Sequence, residues 1–128
     1  MIKRTRSCLV LVALLASCVS FDVYRVETID TLYFGTEKAD HKTVTMEEWT
    51  KFQHDVIEPR LKGYTSWGAI GEWKDDSGRV FREATLVVQI VHNGDANKAI
   101  DEIIAAYKKQ FLQESVLRVH AHAGVAFQ

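Results

Sequence analysis

The sequence predicts an α+β domain with the element order βαββαβ, and three observations carry that reading. Residues 82–92 are rich in β-branched side chains, hold no Gly or Pro, and are apolar on both parities: Leu86, Val88 and Ile90 on one, Val87 and Val91 on the other. That pattern predicts an interior strand, covered at least in part on both faces. Amphipathic stretches at helical spacing lie on either side of it, near residues 45–58 and 96–111. Between the strand-like runs 64–74 and 79–92, Asp75-Asp76-Ser77-Gly78 is a hairpin turn, with Gly78 free to take a positive φ.

Taken in order, residues 28–36 form strand one, ended by Gly35 and the polar run 37–42. Helix one opens at Thr45, a good N-cap, with Glu48 three residues on as a capping box requires. Its apolar face is Met46, Trp49, Phe52, Val56 and Ile57. Pro59, the single proline, restricts Glu58 and stops the helix there. Strand two, 64–74, places Trp67, Ala69 and Trp73 at period two. Asn93-Gly94-Asp95 breaks the chain after strand three, and Asp95 can cap helix two. That helix carries the stripe Ala96, Ala99, Ile100, Ile103, Ile104, Tyr107 and Phe111, with Lys108 and Lys109 at the negative end of its dipole. Strand four, 115–127, alternates Leu117, Val119, Ala121 and Ala123 with Val116, Arg118, His120 and His122.

This order is the ferredoxin-like split βαβ arrangement. Right-handed crossovers give a four-stranded antiparallel sheet of spatial order 4-1-3-2, with both helices on one face. If Leu86, Val88 and Ile90 face the helices, then Glu83, Thr85, Val87, Gln89 and Val91 face away. The apolar set of strand four is expected to face the helices too, which sends Val116, Arg118, His120 and His122 to the open side. Val87 and Val91 are then exposed, and an exposed apolar patch of that kind predicts a homodimer through the open face.

The N-terminus is set apart from the fold. Lys3, Arg4 and Arg6 precede a continuous apolar run, 9–16, which is far shorter than the ~20 residues of a spanning helix. The run ends in Leu15-Ala16-Ser17-Cys18, which resembles the bacterial lipoprotein signal. That resemblance implies a signal peptide over 1–17, cleavage before Cys18, fatty acylation of Cys18 (palmitate), a lipid-anchored tether over 18–27 and a folded domain over 28–128. Val19 in place of Asp implies the outer membrane, on its periplasmic face, where the host has two membranes. Both cysteines, Cys8 and Cys18, lie in or at the end of this leader, so the domain folds without a disulfide.

Removing the leader takes away three of the 16 Lys and Arg residues and none of the 17 acids, leaving 13 against 17, a net −4 with His neutral. Such a domain lacks the basic patch of a nucleic-acid binder. It also has no electrostatic attraction to an anionic bilayer. Its membrane contact would come through the acyl chains.

Glu83 and Arg118 are the charges expected on the open face, where a carboxylate and a guanidinium could hold a polar ligand. Tyr33 and Trp73 could line the same site, and Trp67 stands near them. His120 and His122 point the same way, but a metal site needs a third ligand that no spacing supplies. Ser115 has no histidine at a recognisable spacing and no nucleophile-elbow glycines. There is no phosphate loop and no dinucleotide fingerprint. The sequence therefore offers no catalytic residue, no metal ligand and no cofactor.

The segments Leu32-Tyr33-Phe34-Gly35, Glu58-Pro59-Arg60, Gly71-Glu72-Trp73, Arg82-Glu83, Tyr107-Lys108-Lys109-Gln110-Phe111 and Gln113-Glu114-Ser115-Val116-Leu117-Arg118-Val119 resemble a group of small exported bacterial domains of unknown function, often lipoproteins. The resemblance spans about 31–127. It implies the ferredoxin-like fold and export, and it carries no activity. Within it, Tyr33, Trp73, Glu83 and Arg118 are the candidate ligand-binding positions. The expected function is that of a non-enzymatic binding or interaction domain tethered in the cell envelope. The alternative is a small enzyme of the dimeric α+β-barrel type acting on a small molecule.

Overall fold

The computed structural model describes residues 23–127. The leader, Cys18 and the first part of the expected tether lie outside them. The elements are β1 (Arg25–Gly35), α1 (Met46–Phe52), which runs into a π turn (Gln53–Ile57), β2 (Thr65–Lys74), β3 (Val80–His92), α2 (Asn97–Phe111) and β4 (Leu117–Val125). The sheet order is β2-β3-β1-β4, antiparallel throughout, which is the expected ferredoxin-like order. Strand β1 starts three residues earlier than expected, because Arg25, Val26 and Glu27 pair with Val125, Gly124 and Ala123 at the far end of β4.

Local chemistry sets the boundaries. Thr45 accepts from the Glu48 N–H (3.1 Å) while the Glu48 carboxylate accepts from the Thr45 N–H (2.8 Å), which completes the capping box of α1. The Glu58 N–H then reaches back to the Gln53 carbonyl. That wider turn inserts one residue, so the fully buried position after Trp49 and Phe52 falls on Ile57, with Val56 partly buried against the core beside it. Met46, expected on the apolar face, lies in the first turn and is exposed. Gly78 takes φ 85° in the β2–β3 turn. Asp95 accepts from the Asn97 N–H (2.9 Å), so it ties down the start of α2 from just outside the helix.

The core lies between the sheet and both helices. Leu32, Phe34, Leu86, Val88 and Ile90 meet Trp49, Phe52, Ile57, Ile100, Ile103, Tyr107 and Phe111. Phe34 is its aromatic hub, with ring centroids 4.6 Å from Tyr107 and 5.5 Å from Trp49.

One expectation fails here. Arg118, His120 and His122 stand opposite Leu32, Asp30 and Thr28 of β1, on the helix side of the sheet. Leu117, Val119 and Ala121 face the open side instead. The cause is Asp30, fully buried on the same parity as Leu32 and Phe34. A carboxylate there needs donors, and β4 supplies them. Arg118 Nε donates to Asp30 Oδ1 (2.8 Å), His120 Nδ1 lies 2.9 Å from the same oxygen, and His92 Nε2 lies 2.8 Å from Oδ2. Arg118 also reaches Asn97 Oδ1 (2.6 Å) and Asp101 (3.4 Å) on α2, so one charged cluster joins three strands to a helix.

Candidate functional site

With β4 turned over, the open face holds Ile29, Thr31 and Tyr33 of β1, Glu83 through Val91 at alternate positions of β3, Trp67 and Trp73 of β2, and Leu117, Val119 and Ala121 of β4. Val87, expected in water, is fully covered; it sits between its cross-strand neighbours Tyr33 and Trp67.

At the Glu83 end of this face lies a cleft of about 650 Å³, within the roughly 300–1,000 Å³ range of small-molecule sites. Its lining includes three of the four candidate positions, Tyr33, Trp73 and Glu83. The fourth, Arg118, is on the other side of the sheet, bound to Asp30, and is not part of it.

Gly35 makes room for the carboxylate, and Gly71 for the Thr85 hydroxyl beside it. A Cβ on Gly35 would lie 2.8 Å from Glu83 Oε1, and one on Gly71 would lie 3.2 Å from Thr85 Oγ1. The Glu37 N–H donates to Glu83 Oε1 (2.7 Å) and fixes the carboxylate against the β1 end. Among the described residues Glu83 has no basic partner, since the nearby cations are taken up elsewhere. Lys38 pairs with Glu48 (2.8 Å), and His41 Nδ1 lies 3.0 Å from Glu37. Below the floor, the Tyr107 hydroxyl donates to the Gly35 carbonyl (2.8 Å). Burial, then the nearby charges of Glu83 and Glu48, push this phenol well above its ordinary range, so it stays a donor.

One wall is aromatic, and the rest of the lining is mostly polar, with Lys38, His41, Gln113 and Glu114 among it. Trp73 stacks on its cross-strand partner Phe81, with centroids 4.3 Å apart and planes within 9°, and the Arg79 guanidinium caps the pair at 4.3 Å from the Phe81 ring. The α2–β4 loop closes one side through Gln113, Glu114 and Ser115. It is anchored by the Gln113 side-chain amide, which donates to the Glu37 carbonyl. A carboxylate oxygen beside a flat aromatic wall suits a ligand with a hydroxyl or cationic group next to a ring.

Reasoning on single residues missed Gly35, Gly71, Thr85, Glu37 and the 113–115 loop as lining. A signal was present, because four of the six segments that carry the family resemblance contribute to this one cleft. A second cleft of about 430 Å³ opens near His92, Asn93 and Gly94 at the other end of the sheet. It gathers no comparable set of aromatic walls. Among the described residues no group of three or more His, Cys, Asp or Glu is placed to hold a metal, and no helix is long and apolar enough to cross a membrane.

A family model described as a protein of unknown function, DUF3574, matches residues 29–127. The chain belongs to the DUF3574 family. The match takes in all the cleft residues and every strand and helix except the first four residues of β1. Nothing among the curated proteins matches the chain. Two solved structures share the fold of this DUF3574 domain. A phage SAM lyase in complex with S-methyl-5'-thioadenosine is 16% identical, with a TM-score of 0.54 over 79% of this chain and 90% of that one. A phage SAM lyase in the apo state is 17% identical, with a TM-score of 0.57 over 80% and 86%. At that identity the likeness is one of fold.

Proposed function

We propose that this is a cell-envelope lipoprotein, anchored through an acylated Cys18, whose domain binds a nucleoside-sized small molecule in the open-face cleft. The observation that carries the binding reading is Glu83, a carboxylate with no basic partner among the described residues, set beside the Trp73–Phe81 stack and Tyr33. Carboxylates of this kind accept from ribose hydroxyls in nucleotide sites, and aromatic walls take the base. A ligand with both features also matches the molecule named with the first fold neighbour, S-methyl-5'-thioadenosine.

The test uses that compound and SAM as probes. At a concentration 100 times its Kd a ligand stabilises the folded state by about 2.7 kcal/mol. Glu83→Gln and Trp73→Ala should each remove the resulting rise in melting temperature, measured against the same variant without ligand. A rise of the same size in both variants would overturn the assignment of the cleft.

The second reading is a small enzyme of the α+β-barrel type, supported by the fold neighbours, which are named as lyases. Consumption of SAM by the wild type, lost in Glu83→Gln, would favour it over simple binding.

The anchor rests on the basic residues, the short apolar run and Leu15-Ala16-Ser17-Cys18. Cys18→Ser should abolish palmitate labelling and release the protein from the membrane fraction. Persistent labelling of that variant would remove the anchor from the account. Val19 next to the anchor points to the outer membrane, and fractionation with the inner membrane would contradict it.

A further inference from the structure

We infer that the outer end of the β1–β4 ribbon docks into the surface of a lipid bilayer, so that the domain is held on the membrane by this end. The inference rests on the Cys18 anchor proposed above. Strand β1 makes its last pair with β3 at Thr28–His92, and residues 25–27 continue paired with β4 alone. The two-stranded ribbon that results is apolar on both of its sides. Val23, Val125 and Phe127 line one groove on one side, while Tyr24 lies over Gly124 on the other, where Gly124 pairs with Val26. Val23 is 76% exposed, Tyr24 62%, Val26 79% and Phe127 95%. Single exposed apolar residues are ordinary, but four at one tip, two of them aromatic, mark a contact surface.

Reach, shape and composition make the bilayer the occupant. The chain from Cys18 to Val23 can span at most about 18 Å, so an acylated Cys18 keeps the ribbon within reach of the headgroups. So short a tether holds the ribbon at an effective concentration of order millimolar, and a weak contact is then occupied. A flat protein partner would cover one side of the ribbon, whereas entry tip-first into a fluid surface covers both. The side chains are those of a membrane interface. The Tyr24 hydroxyl and the Arg25 guanidinium suit the headgroup level, and Val26 and Phe127 the acyl boundary. Residues 123–127 carry no charge, and of the two charges in 23–27, Arg25 and Glu27, the acid has one oxygen buried. Anionic headgroups are therefore not repelled. The orientation also serves the cleft. Strand β1 runs ten steps of about 3.3 Å from Arg25 to Gly35, which places the Gly35 and Glu83 end roughly 33 Å from the bilayer and open to water.

The test is the depth of a nitroxide label in the full chain, expressed with its leader and reconstituted into vesicles of phosphatidylethanolamine and phosphatidylglycerol. The label is placed through Phe127→Cys, or through Asp76→Cys in the exposed β2–β3 turn at the opposite end. At position 127 the label should relax with oxygen, which concentrates in the bilayer, and be shielded from a water-soluble nickel chelate. At position 76 it should show the reverse. Adding Tyr24→Glu should return the label at 127 to water while the protein still floats with the vesicles, and unchanged circular dichroism keeps that result interpretable. A protein that does not float would overturn the anchor and the docking with it. A floating protein whose label at 127 meets the nickel chelate as freely as the label at 76 would overturn the docking alone, because a tether without docking leaves the ribbon in water.

Discussion

Asp30→Ala is expected to cost about 3–5 kcal/mol of folding stability, the size seen when one partner of a buried ion pair is removed. The carboxylate is fully buried and accepts from Arg118, with His92 and His120 on the same two oxygens. Its loss leaves the Arg118 guanidinium with only its α2 partners, Asn97 and Asp101, and breaks the link between β1, β3 and β4. Burial alone would raise the Asp30 pKa. The hydrogen bonds from Arg118, His92 and His120 outweigh it and hold the group far below its ordinary 3.8. The sign of the pH dependence follows. A folded pKa below the unfolded one gives stability that is complete above about pH 5 and drains away as the pH falls through the unfolded value towards the folded one. Urea midpoints measured between about pH 2 and pH 6 should fall steeply on the acid side in the wild type and less so in Asp30→Ala. Parallel curves for the two proteins would show that Asp30 is not the group that links stability to acid.

Ile103→Ala should cost about 2–5 kcal/mol, as large-to-small changes in a packed core do. Ile103 is fully buried in the middle of α2, within the cluster that joins Leu32, Val88, Ile100 and Tyr107. No β-branched or aromatic side chain can swing into the gap without leaving its own contacts, so most of the lost volume remains as cavity. Against a total of about 5–15 kcal/mol, and with no cysteine among the described residues to brace the domain, that is a large share. The denaturant midpoint should drop with the slope unchanged. A midpoint equal to the wild type's would mean that α2 does not bury this stripe.

The order of elements was legible because each boundary is written in local chemistry: the Thr45–Glu48 box, Pro59 after α1, the Asp75–Gly78 turn and the unbroken apolar run of β3. The sheet order followed from connection handedness alone. The side to which β4 turns its apolar residues was not legible from β4. Alternation fixes a period of two but not its phase, and a flip of phase sends every side chain to the other face. What set the phase was the demand of Asp30, some ninety residues earlier in the chain. That demand could have been read: Asp30 shares parity with Leu32 and Phe34, and a carboxylate in a core position needs Arg or His opposite it. The cleft was half legible. Tyr33, Glu83 and Trp73 follow from strand parity, whereas Gly35, Gly71 and the 113–115 loop come together only once β1, β2 and α2 are packed. Arg118 was assigned to the site by the same phase error that misplaced β4.

The three tryptophans offer the most direct check of the cleft. Trp49 is buried in the core, Trp67 lies mid-face, and Trp73 forms the cleft wall. In a titration with S-methyl-5'-thioadenosine followed by the three indole N–H resonances, the Trp73 signal should move in a saturable way. The Trp49 signal should stay in place, and Glu83→Gln should abolish the shift. A Trp73 resonance that stays fixed at millimolar probe, or a shift confined to Trp49, would contradict the assignment of this cleft as the binding site.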